Sequence, residues 1–105
     1  MLPSQNLLAN PIIVTGVMSQ SYKQQVAASV SKFQTLKIQR VIFENPTSAG
    51  DTLQITDPTT GFVLARLVCG VAGNTVEIDW RARPRLWSDF IVSTLSSGAV
   101  IIELA

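Results

Sequence analysis

The chain has 105 residues, 47% of them apolar and 14% charged, with eight Lys and Arg against seven Asp and Glu. That length closes one hydrophobic core rather than two, and the charged share lies well below the roughly 25% usual in soluble domains, so some apolar surface is expected to face another protein unless burial is unusually complete. A net charge of +1 argues against bulk attraction to nucleic acid or anionic lipid, and with no His and one Cys the usual general base, metal ligand and internal disulfide are all excluded.

The first eleven residues set Pro3, Ser4, Gln5, Asn6, Asn10 and Pro11 around Leu2, Leu7, Leu8 and Ala9. This is too little apolar content for a core element. Residues 1–13 are therefore expected to form an arm leading into the first strand, with 14–105 as a single sandwich domain. Such an arm frays in a free monomer, and a neighbouring subunit is its expected holder. No Lys or Arg precedes Lys23, so 7–18 lacks the positive flank of a signal peptide, and synthesis in a reducing cytoplasm is expected.

Val, Ile and Thr supply 29 residues, and these stiff β-branched side chains favour a pleated surface. Runs at 12–18, 37–44 and 62–69 read as strands, as do 25–33 and 87–95. Asn45-Pro46 stops one of them, because Pro cannot donate to a ladder and drives its predecessor into extended geometry. Leu53 and Ile55 alternate with Thr52, Gln54 and Thr56, predicting a half-buried strand. Asp57-Pro58-Thr59-Thr60-Gly61 then reads as a hairpin-like loop. Val63, Ala65, Leu67 and Cys69 share one alternating face, which makes Cys69 a small core residue. Val76, Ile78 and Trp80 alternate with Glu77 and Asp79, and Val100, Ile102 and Leu104 alternate with Ile101 and Glu103. Ser96-Ser97-Gly98 is expected to join the last strand pair as a hairpin. The sum is about eight strands and no helix, which predicts an all-β antiparallel sandwich or jelly roll. Residues 90–105 are too short and too interrupted to span a membrane.

An internal echo accompanies these strands. Ala49-Gly50-Asp51-Thr52-Leu53-Gln54-Ile55 recurs as Ala72-Gly73-Asn74-Thr75-Val76-Glu77-Ile78. Two copies fall short of a solenoid and predict two hairpins that enter the sandwich by the same local device.

The segment Trp80-Arg81-Ala82-Arg83-Pro84-Arg85-Leu86-Trp87 carries the most chemistry. In an extended chain Arg81, Arg83 and Arg85 project to one side, and Arg beside Trp invites stacking. Such a pad suits a partner's carboxylates, a glycan or a phosphate. The competing reading is a solvated corner whose cations pair with this chain's own acids, with Trp80 and Trp87 in the core. Asp51, Asp57, Asp79 and Asp89 match no calcium-loop spacing and are expected in turns. Phe33, Phe43, Phe62 and Phe90 lie in strand-like runs and read as core. No phosphate loop, nucleophile elbow or acid pair is present, so neither an enzyme nor a cofactor is expected.

Val41-Ile42-Phe43 to Pro46, Ala49 to Asp57, Gly61-Phe62-Val63-Leu64 and Phe90 to Ile102 together resemble small structural proteins encoded in the virion gene clusters of tailed bacteriophages, notably cyanophages. The resemblance covers roughly residues 37–104. It implies a small β-sandwich on the virion, in the role of a capsid decoration (cement) protein, commonly a trimer that bridges major capsid protein subunits. Similar sandwiches occur in tails, baseplates and head-tail connectors. On this reading Leu2, Leu7, Leu8, Arg81, Arg83 and Arg85 are the expected contacts with the shell or a neighbouring protomer, without direct nucleic-acid or membrane binding. A carbohydrate-binding module for host recognition is the alternative, and it requires Trp80 or Trp87 exposed as a flat platform.

Overall fold

The computed structural model describes residues 5–8, 10–26 and 35–105. Leu2, Phe33 and most of the expected 25–33 strand lie outside the described residues. Within them, the elements follow as β1 (Ile12–Val14), α1 (Tyr22–Gln25), β2 (Leu36–Glu44), β3 (Thr52–Thr56), β4 (Val63–Val68), β5 (Val76–Asp79), β6 (Arg85–Trp87), β7 (Ile91–Leu95) and β8 (Ala99–Leu104). The strands form two antiparallel sheets. In the larger, β1, β8 and β2 lie side by side, while β5 and β6 share the far edge of β2, along 40–43 and 36–38 respectively. The smaller sheet runs β4-β3-β7.

The chain passes from sheet to sheet at nearly every step. After β1 it lies along β7, where the Met18 N–H donates to the Val92 carbonyl (3.0 Å) and the Tyr22 N–H to the Phe90 carbonyl (2.8 Å). It returns to the larger sheet for β2, forms β3 and β4 in the smaller, then β5 and β6 in the larger, β7 in the smaller and β8 in the larger. This is the winding of a jelly roll, with residues 18–22 in the place of its second strand. The all-β expectation holds. Between the sheets Ile12, Val14, Ile38, Val41, Phe43, Leu53, Ile55, Phe90, Val92, Val100 and Ile102 are fully buried, the inward halves of the alternations read above.

Several elements differ from the sequence expectation. The first strand ends at Val14 instead of Met18. Gln25 belongs to α1, which Ser21 opens with a capping box: its hydroxyl accepts from the Gln24 N–H (3.3 Å), and the Gln24 side chain accepts from the Ser21 N–H (3.0 Å). The run 87–95 is two strands in different sheets, because Asp89 turns the chain between them. Its carboxylate accepts from the Lys23 N–H (3.0 Å) and the Phe90 N–H (2.8 Å). In β2 the ladder with β8 shifts between Ile38 and Arg40. That irregularity allows Leu36 and Ile38, then Val41 and Phe43, to point inward with two residues between the pairs.

The hairpin at 57–61 is present: β3 pairs with β4, and the Asp57 carboxylate accepts from the N–H groups of Thr59 (2.8 Å) and Thr60 (3.2 Å). The other expected hairpins are crossovers between sheets. Ser96-Ser97-Gly98 carries the chain from β7 to β8, and the two echoed segments lie on the crossovers before β3 and β5. These two crossovers bind each other reciprocally. The Gly50 N–H donates to the Cys69 carbonyl (2.8 Å), and the Gly73 N–H donates to the Pro46 carbonyl (2.6 Å). The repeated sequence therefore builds one mutual contact at the end of the sandwich, which the third crossover joins when Ser97 Oγ donates to Asp51 (2.6 Å) and accepts from the Thr47 N–H (3.0 Å).

The described part of the arm is tied to its own chain. Asn6 and Ile13 exchange backbone hydrogen bonds of 2.9 and 2.8 Å, Gln5 accepts from the Thr15 N–H, and the Asn10 side chain brackets Leu104 by donating to its carbonyl (3.1 Å) and accepting from its N–H (2.9 Å). Leu7 packs against the core, whereas Leu8 is exposed.

Candidate functional site

The two flanks of the sandwich are unlike. On one, the arm covers the outer edge of β1, and residues 18–22 cover the outer edge of β7. On the other, β4 edges the smaller sheet and β5 with β6 edge the larger, and among the described strands neither edge has a further partner. Between these bare edges runs an open groove of about 400 Å³ lined by Val63, Leu64, Trp80, Arg85, Leu86 and Trp87. Phe62, Val63 and Leu86 are exposed by 73%, 53% and 68%. Leu8 and Val17 are exposed on the covered flank as well, so it is apolar side chains beside unpaired strand edges that set this flank apart.

Tight turns deliver these side chains to the flank. Asp79 ends β5 by accepting from the Arg81 N–H (2.9 Å), the Arg83 N–H closes the turn on the Trp80 carbonyl (3.0 Å), and Pro84 precedes β6. The Arg85 guanidinium then lies over the Trp80 ring, 5.4 Å from its centroid, while Trp87 meets Trp80 edge-on at 6.2 Å. Trp87 itself is buried and also meets Phe90 edge-on at 5.7 Å.

The expected row of three arginines does not form, because the turn separates them. Arg81 is spent on its own neighbour: its Nε donates to both Asp79 oxygens at 3.0 and 2.9 Å, and its Nη2 donates at 2.5 Å. Those side-chain bonds, together with the Arg81 N–H, lower the Asp79 carboxyl to about 2 and raise the Arg81 guanidinium. Arg83 is exposed in the turn. Arg85 reaches the groove, and Arg66 is exposed in the middle of β4. Neither Arg66, Arg83 nor Arg85 meets a carboxylate among the described residues, where ion pairs join Arg40 to Glu77 and Glu103, and Arg81 to Asp79.

Other expected sites resolve into structure. Cys69 is buried, with its thiol donating to the Val71 carbonyl at 3.1 Å. The four Asp side chains all sit at turns or chain reversals, and no three Cys, Asp or Glu among the described residues are placed to hold a metal ion. No helix among the described residues is long and apolar enough to cross a membrane. Phe43 and Phe90 are core, but Phe62 is not. It follows Gly61 in the hairpin loop, and its position outside the alternation of Ala65, Leu67 and Cys69 was the available signal. Of the predicted contacts, Leu8 and Arg83 are exposed, Leu7 and Arg81 are engaged within the chain, and Arg85 alone lines the groove. No family model matches this chain, no curated protein matches its sequence, and no solved structure matches its fold.

Proposed function

We propose that this chain is a structural protein of a tailed-bacteriophage virion, acting as a capsid decoration protein that stabilises the head shell from outside as a homotrimer seated on major capsid protein subunits. The supporting observation is the asymmetry of the sandwich: one flank is covered by the chain itself, whereas the other leaves two edges bare and Phe62, Val63 and Leu86 exposed. Such a flank suits a lasting protein interface. Decoration asks only for burial of surface, and many modest contacts add through multivalency. The assignment to a phage particle rests on the resemblance of residues 37–104 to small virion proteins of tailed bacteriophages. Copy number on purified particles tests the role. Copies on the order of hundreds per particle, as a symmetric shell demands, support decoration, and a handful would move the protein to the tail, baseplate or connector. Glycan recognition is disfavoured, because Trp80 is overlaid by Arg85 and Trp87 is buried.

A further inference from the structure

We infer that the bare edge of β4 accepts an extended, acidic segment of a partner polypeptide as an added strand, with the adjoining groove taking an apolar side chain of that segment. This deepens the reading above and rests on the open flank being the contact face.

The backbone supplies the first argument. The Thr52 and Gln54 carbonyls are turned toward β7, where they accept from the Ser96 N–H (3.1 Å) and from Ser93 Oγ (3.2 Å). Leu53 and Ile55 therefore face β4, opposite Leu67 and Ala65. In an antiparallel ladder the hydrogen-bonding direction alternates, so Arg66 and Val68 turn their N–H and carbonyl groups to the open side. An incoming strand uses those groups. Alongside, Val63 and Leu64 share the groove with Leu86 and the Trp80–Arg85 pair, a recess with apolar side chains among polar backbone and one cation at its wall.

Charge selects the occupant. Arg66 and Arg85 are exposed and have no carboxylate partner among the described residues. Three acids of the larger sheet are committed elsewhere, Glu77 and Glu103 to Arg40 and Asp79 to Arg81. A second copy paired through β4 would bring the same cations to the same edge, and like charges across a ladder oppose pairing. A segment alternating apolar and acidic residues instead meets the arginines with carboxylates and the groove with an apolar side chain.

The test titrates the isotopically labelled full chain with an amidated peptide of about ten residues alternating valine and glutamate, and with its lysine counterpart. The glutamate peptide is expected to shift the β4 amides and the Trp80 indole, and to slow exchange of the Arg66 and Val68 amides. It should bind about tenfold more tightly than the lysine peptide. The double variant Arg66→Glu with Arg85→Glu should reverse that preference, which also reports that it has folded. Equal binding of both peptides, binding of neither, or shifts centred away from β4 overturn the inference. So do β4 shifts that grow with protein concentration alone, since these identify a second copy as the occupant. Failure here alongside a high copy number on particles overturns this inference alone, whereas a low copy number with glutamate-selective binding overturns the shell role alone.

Discussion

Arg85 roofs the indole of Trp80, with its guanidinium carbon 5.4 Å from the ring centroid. The contact closes one face of the more exposed of the two tryptophans, at the mouth of the groove. Arg85→Ala should open that face to solvent. Acrylamide quenching of the native protein should increase for one emitting component and stay unchanged for the buried Trp87. The stability change should remain within about 1 kcal/mol, the scale of an exposed cation–π contact. Unaltered quenching would show that Arg85 does not shield the ring in solution.

Gly98 has φ +68° and its missing side chain would collide with the carbonyl oxygen of Glu44, whereas Gly61 has φ +78° and open space around it. The two positions separate conformational strain from collision. Gly61→Ala should cost about 1 kcal/mol, the left-handed penalty alone. Gly98→Ala should cost about 2–4 kcal/mol, because rigid backbone must also move. Urea unfolding of the two variants measures the difference, and equal losses would mean that the crossover at 96–98 yields freely.

Phe90 and Phe62 provide the corresponding contrast for burial. Phe90 is fully enclosed and stacks on Tyr22 with ring centroids 5.0 Å apart, whereas Phe62 is 73% exposed. Phe90→Ala should destabilise by about 3–5 kcal/mol, and Phe62→Ala by no more than about 0.5 kcal/mol. Thermal unfolding distinguishes them, and a large loss at Phe62 would show that the open flank is closed in the free protein.

Acid should weaken the outer face of the larger sheet. Arg40 clasps Glu103 through Nε (2.8 Å) and Nη2 (2.6 Å), and this hydrogen bonding holds the Glu103 carboxyl below its ordinary value of 4.5. A group depressed on folding contributes stability that is fully present above its unfolded value and is lost as pH falls through the folded one. The urea midpoint should therefore drop as pH falls below the ordinary glutamate value. Glu103→Gln should be less stable than the parent near neutrality and should lose less on acidification. Parallel pH profiles of the two proteins would remove Glu103 from this role.

The sequence made the sheets legible where alternation was clean. Leu53 and Ile55, or Val100 and Ile102, point inward as their spacing predicts. The break at Ser88-Asp89 stayed hidden because it contains neither Gly nor Pro, and the shift at Ile38–Arg40 because it inserts one residue without any change of composition. Helix α1 was readable in principle from Ser21 and Gln24, which stand at capping-box spacing. The open flank was not readable. It exists because β4 and the β5–β6 pair, although consecutive in the chain, fall in different sheets and edge them on the same side of the molecule.

The place of β8 between β1 and β2 sets a condition on how the protein is made. Neither neighbour can complete its ladder until residues 99–104 have left the ribosome, and Val100 and Ile102 are part of the buried interior. Until then β1 and one edge of β2 stay without their strand partner, and non-local β topologies with exposed edges are prone to aggregate. Recovery of folded protein should accordingly depend on how well those open edges are shielded until β8 inserts, as well as on the stability of the finished sandwich.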